Sequence, residues 1–115
     1  MTMPISISIA EHYLWGTNCD GWHLLKQDGL SIIQERVPIG GKEIMHYHEK
    51  SRQFFYMLEG EGQIITEDGG MKLIKGEGLE IPPLVQHRFE NNSGEDAIFL
   101  VISAPTSHGD RIDVE

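Results

Sequence analysis

His46 and His48 stand one residue apart, and Gln53 follows five positions after the second histidine. In an extended strand, side chains two positions apart project from the same face. The two imidazoles would therefore converge from one strand, as two ligands of a single metal ion must. Gln53 is a possible third donor. Gly40 and Gly41 precede the stretch and Gly60 closes it, so these residues read as ligands supplied by adjacent short strands. The question this raises is where a further ligand and a pocket would come from.

The elements that must position them are short and extended. After Trp22 the chain alternates strand-like runs with turn signals: 22–26, broken by Gln27-Asp28-Gly29, then 30–37, broken by Pro38-Ile39-Gly40-Gly41. Runs at 44–48 and 53–58 carry the candidate ligands, and 63–66, 71–74, 79–81, 85–90 and 97–103 complete the set. No segment sustains an apolar period of 3.6 residues, so the expected class is all-β, a sandwich or barrel. Ile5-Ser6-Ile7-Ser8-Ile9 alternates strictly and predicts a half-buried strand, which either closes the chain's own core or packs on another subunit. Residues 11–20 show no clear period and read as a loop or a short helical turn. The segment after Thr106 is polar and reads as a partly mobile tail.

At 115 residues the chain is one domain's worth. Its formal charge is −9, from 18 acidic against 9 basic residues, and no basic run offsets it. Such a surface repels phosphate backbones and anionic bilayers, so neither nucleic acid nor membrane is an expected partner. Cys19 is the single cysteine, which rules out an intrachain disulfide and a thiolate zinc cluster. The N-terminal residues do not read as a signal peptide, and no run nears the roughly 18 apolar residues of a membrane span. The expected location is the cytoplasm.

A second segment, Gly76 to Asn91, together with the first, resembles the paired motifs of the cupin superfamily, and in particular its small bacterial, RmlC-like members. In the first motif Gly40, His46, His48 and Gly60 fall in register, with Gln53 where the family has Glu. In the second, Gly76, Pro82, His87 and Asn91 match, with Leu84 where Gly is usual. Fifteen residues separate the two, the compact spacing of small cupins. The resemblance implies a jelly-roll β-barrel of two antiparallel sheets in a single domain. Its conserved core would span 30–103, flanked by an N-terminal strand and loop (1–21) and a polar tail (104–115). It also implies one divalent transition metal (Zn, Ni, Fe, Mn or Cu) held by His46, His48, Gln53 and His87. A first shell of three imidazoles and an oxygen donor suits such ions and leaves positions for substrate. With Gln in place of Glu, the ion keeps its full charge and becomes a stronger Lewis acid, but the site loses a strong ligand.

Alternation puts Phe55 and Met57 on the face of Gln53, and Phe89 on that of His87, as an apolar pocket wall. Val101 and Ser103 are expected opposite the metal. On the strand at 30–37, Gln34 and Arg36 share a face. If it points inward, Arg36 becomes a bidentate carboxylate anchor; if outward, a solvated surface residue. No catalytic residue is fixed by the sequence, the candidates being Arg36, His108 and Asp110. The function these features favour is a Lewis-acid enzyme, an isomerase or lyase acting on a small anionic metabolite such as a sugar acid. Two alternatives stay open: an iron- or copper-dependent, quercetinase-like dioxygenase, and a non-enzymatic small-molecule binding or sensing module. Small cupins commonly dimerise, so a homodimer is expected.

Overall fold

Strict alternation of buried and exposed side chains runs through the chain's middle, and it folds these segments into two facing sheets. The computed structural model describes residues 2–114. Met1 and Glu115, the outer ends of the N-terminal segment and the tail, lie outside the described residues. The strands are β1 (Glu11–Trp15), β2 (Cys19–Lys26), β3 (Ser31–Val37), β4 (His46–His48), β5 (Arg52–Glu59), β6 (Glu61–Thr66), β7 (Gly69–Ile74), β8 (Gly78–Ile81), β9 (His87–Glu90), β10 (Ala97–Ala104) and β11 (Arg111–Asp113). One sheet has the order β1-β2-β3-β10-β5-β8 and the other β11-β4-β9-β6-β7, with every pairing antiparallel. No helix occurs among the described residues, and none is long and apolar enough to cross a membrane.

The core lies between the sheets at one end of the sandwich. Phe89 of β9 and Phe99 of β10 stack across the gap with ring centroids 4.3 Å apart, and Met57, Ile64 and Val37 close around them. Burying each such side chain contributes about 1.5–3 kcal/mol. Gly62 makes this packing feasible, since a Cβ there would stand 2.2 Å from the Phe89 ring. Two residues from Phe89, on the same face, His87 begins the polar end of the interior.

Several landmarks acquire physical reasons. Gly60 turns β5 into β6 at φ 75°, where a Cβ would lie 2.2 Å from the Asp96 carbonyl oxygen. Asn91 is fully buried; its amide donates to the carbonyls of Val37 and Glu95 and its oxygen accepts from Ser93, tying the turn before β10 to β3. Leu84 occupies its glycine-like position with a left-handed φ of 73°, and its N–H donates to the His48 carbonyl at 2.7 Å.

Three expectations are corrected. Residues 5–9 form no strand: Ile9 and Ala10 donate back to the Ser6 carbonyl in a turn, and Ile5, Ile7 and Ile9 are 50%, 42% and 70% exposed. Alternation alone cannot make a strand without an edge to pair with. Residues 11–15 are a strand, paired with β2 from Glu11↔His23 to Trp15↔Cys19 through a turn at which Asn18 takes φ 60°. The tail is likewise structured, since β11 adds to the free edge of β4, with Arg111 opposite His48 and Asp113 opposite His46.

Candidate metal centre

His46 and His48 are alternate residues of β4, and both turn inward; His46 pairs with His87 of β9. The three rings are 3%, 5% and 0% exposed, and one nitrogen from each lies within 4.8 Å of the others. Local hydrogen bonds fix two tautomers. His46 Nδ1–H donates to the Ile44 carbonyl at 2.7 Å, and His87 Nδ1–H to the Val85 carbonyl at 2.9 Å. A carbonyl only accepts, so each Nε2 keeps its lone pair. His87 Nε2 has no hydrogen-bond partner, nor has His48 Nδ1.

Gln53 arrives from the opposite sheet on β5. Its Nε2 donates to Ser103 Oγ at 3.0 Å, which fixes the amide's orientation and leaves Oε1 buried and unpartnered. Orphaning a buried polar atom costs about 1–3 kcal/mol, and here His87 Nε2 and Gln53 Oε1 are both unpartnered electron-pair donors. Burial pushes His46 down to about 3 and His87 to about 4, and lowers His48, so all three are neutral near pH 7. Neutral imidazoles and a carbonyl oxygen are what a borderline transition metal takes. The donor set fits.

Beside these donors opens a cavity of about 450 Å³, within the usual range for small-molecule sites. His46, His48, Gln53, Phe55 and Val101 line it, as do Ile33, Glu35, Glu43, Tyr13 and Arg111. Ser103 lies beneath Gln53, fully buried. Met57 and Phe89 belong instead to the packed core and do not line the cavity.

Gln34 and Arg36 turn away from it. Ser31 and Val37 are 3% and 0% exposed, so alternation brings the odd-numbered residues of β3 inward and sends the even ones out. Arg36 Nε donates to Asp20 at 2.6 Å and its Nη1 to Asp96 at 3.2 Å, which leaves no anchor for a substrate. Arg111 supplies the cavity's guanidinium, 3.7 Å from the Glu43 carboxylate. His108 lines the cavity, but Asp110 does not: its carboxylate accepts from the backbone N–H of Lys50 and Ser51, bracing the loop that leads to Gln53.

Sequence reasoning passed over the acids. Glu43 accepts from Phe89 N at 3.1 Å, and burial holds its carboxyl up to about 7. Glu35 is raised well above the ordinary carboxylate value, by burial first and then by Glu43. The available signal was the strict alternation Ser31, Ile33, Glu35, Val37, in which a carboxylate sits among inward residues.

A family model described as a cupin domain matches residues 33–103. The chain is a cupin. Among curated relatives, an uncharacterized protein of Methanocaldococcus jannaschii is 33% identical over 81 residues, 70% of this chain and 65% of that protein. The Streptomyces cyaneus protein named polyketide synthase CurC is 31% identical over 77 residues, 67% of this chain and 47% of that one. This cupin thus spans less than two thirds of either. The solved structure of the polyketide cyclase RemF from Streptomyces resistomycificus superposes with a TM-score of 0.85 at 18% identity, covering 100% of this chain and 87% of that one, which establishes a shared fold.

Proposed function

We propose that this cupin is a metal-dependent enzyme of Lewis-acid type, an isomerase or lyase acting on a small, oxygen-rich, anionic substrate. The observation that carries the reading is the convergence of unpartnered buried donors, His87 Nε2 and Gln53 Oε1, with His46 and His48 beside an open cavity. His46, His48, Gln53 and His87 would hold one divalent transition ion. When bound, that ion supplies electrophilic polarisation of a substrate carbonyl or hydroxyl, with a charge that the neutral Gln53 does not reduce.

The chain's own residues do the rest. Arg111, whose Nε is held by Asp113, brings a positive charge to the cavity that a substrate carboxylate would face, and Phe55, Val101 and Ile33 make a water-poor wall that strengthens each polar contact within it. A substrate carboxylate on Arg111 places its neighbouring carbonyl toward the histidines and its C–H bonds among the cavity acids.

A second reading rests on the match to CurC: the same proton transfers on a poly-carbonyl chain would give ring closure rather than isomerisation. Both readings are redox-neutral, in contrast to a dioxygenase. Metal-loaded protein is incubated under argon with 2-keto acids, unsaturated uronates and 1,3-dicarbonyl chains, and products are followed by mass spectrometry. Conversion without O₂ at unchanged substrate mass (or loss of water) supports the proposal. Conversion that requires O₂ and adds oxygen refutes it.

We further propose a homodimer. Met3, Ile5, Ile7 and Ile9 are 71%, 50%, 42% and 70% exposed, and Phe54 and Tyr56 present an apolar strip on the outer face of β5. A monomer mass in sedimentation equilibrium would refute the dimer.

A further inference from the structure

Opposite the histidine strands, the cavity has a second chemical feature built on β1, β2 and β3. Glu35 pairs across β3 with Gly21 of β2, which in turn pairs with Tyr13 of β1. Gly21 has no side chain, and the Tyr13 ring fills that space: a Cβ at Gly21 would meet ring carbons at 2.3 and 2.6 Å and the hydroxyl oxygen at 2.6 Å. The glycine therefore lets Tyr13 lie across the sheet with its hydroxyl over the position opposite Glu35. Among the described residues Glu35 forms no ion pair, and Tyr13 is the neighbour that favours its charged form alongside Arg111. Glu43, by contrast, is engaged by Phe89 N–H and faces Arg111.

Two other observations mark this wall as ligand-facing. Ser31, on the same face of β3 as Glu35, is 3% exposed, and its hydroxyl has no partner. His23 of β2 also lines the cavity, and its Nδ1 is buried without a partner. Buried polar atoms seldom go unpaired unless a ligand or water completes them. With Ile33 between Ser31 and Glu35, the strand presents a hydroxyl, an apolar patch and a carboxyl in a row toward the cavity.

We propose that Glu35, oriented by Tyr13 across Gly21, is the group that moves the substrate proton. The carboxylate takes a proton from carbon alpha to a substrate carbonyl. The C–H electron pair becomes the new C=C bond as the carbonyl π pair passes to oxygen. The resulting carboxylic acid returns the proton to the enolate carbon, on the same or a neighbouring atom. Burial and Glu43 hold Glu35's proton affinity up, nearer the neutral range where a general acid–base works best. This inference rests on the Lewis-acid reading above, and its test separates the two.

The probe is pyruvate, whose methyl protons exchange with D₂O only through the enolate; exchange is followed by proton NMR with metal-loaded protein. Metal content and pyruvate affinity are measured in parallel. Wild type should exchange the methyl protons, and Glu35→Gln should slow this by about 100-fold or more with metal content and affinity unchanged. Tyr13→Phe, which removes a hydroxyl that lowers Glu35's proton affinity, should move the pH profile to higher pH; Arg111 and Glu43 are the charged groups facing Glu35. Exchange by Glu35→Gln at the wild-type rate overturns the assignment. So does a stoichiometrically metal-loaded wild type that exchanges nothing, although the metal centre then stands. A wild type that binds no metal removes the centre and this role with it. Should Glu35→Gln fail to fold, Glu35→Asp replaces it, with slowed exchange expected and the wild-type rate overturning the assignment.

Discussion

Gln53 is held by a single side chain. Its amide hydrogen goes to Ser103, and that bond leaves the carbonyl oxygen buried and unpartnered on a residue that lines the same cavity as His46 and His48. A carboxylate at this position would bind a dication more strongly and neutralise one charge, so Gln53→Glu should tighten metal binding while weakening polarisation of a bound carbonyl. Ser103→Ala frees the amide to rotate, and metal affinity should fall by about 10- to 100-fold, the usual effect of removing an outer-shell partner. Competition with a fluorescent chelator measures both; equal affinities across the three proteins would contradict the role given to Gln53. Leu84 makes a different residue-scale statement. A left-handed non-glycine backbone costs about 1–2 kcal/mol, partly offset by glycine's greater freedom when unfolded. Leu84→Gly should therefore leave stability equal or up to about 1 kcal/mol higher, whereas β-branched Leu84→Val lowers it by about 1 kcal/mol. Urea denaturation that places Val above Leu would contradict the strain.

At the scale of elements, the metal centre depends on how closely β6 and β9 approach β10. Gly62 sits where a methyl group would strike Phe89, and Phe89 is two residues from His87. Gly62→Ala should cost about 1–3 kcal/mol by overpacking and also weaken metal binding, because β9 cannot shift without moving His87. Thermal unfolding and metal titration check the two halves, and an unperturbed variant would contradict the packing. The same scale shows what was readable in the chain and what was not. His46, His48 and His87 were legible because a two-residue period and two bracketing turns leave them few places to point. The orientation of β3 was not, because Ile32-Gln34-Arg36 and Ile33-Glu35-Val37 carry nearly the same mixture of apolar and charged side chains. Only the pairing with β2 and β10 decides which face is buried. The N-terminal isoleucines mislead for the related reason that alternation does not reveal a partner. The three residues of β11 become a strand only because β4 has a free edge.

Across the whole molecule, one interior holds groups that want opposite pH. Burial depresses His46 and His87 from the ordinary 6.5 to about 3 and about 4. The native state then binds fewer protons than the unfolded chain between those values and 6.5. Metal-free protein should lose stability as pH falls through 6.5, by about 1.4 kcal/mol per pH unit for each histidine, down to the folded-state values. Glu35 and Glu43 act in the other direction, since their raised values mean that the native state keeps protons the unfolded chain has released. Their contribution is full below about 4.5 and is lost as pH rises. Glu35→Gln should thus be more stable than wild type at neutral pH, with the gap closing below about 4.5. The two sets of slopes offset each other in wild type, so denaturant melts from pH 4 to 8 are compared between chelated wild type and Glu35→Gln, and a stability difference that does not change with pH would contradict the burial of Glu35. Stability surrendered to keep ionisable groups in a cavity is the pattern of a functional site.

The account stands on the metal centre, and the most direct measurement is metal analysis of untagged protein purified without added metal. One transition-metal ion per chain is predicted for wild type, with near-complete loss in His87→Ala. Metal absent from wild type, or retained in full by His87→Ala, would contradict the account.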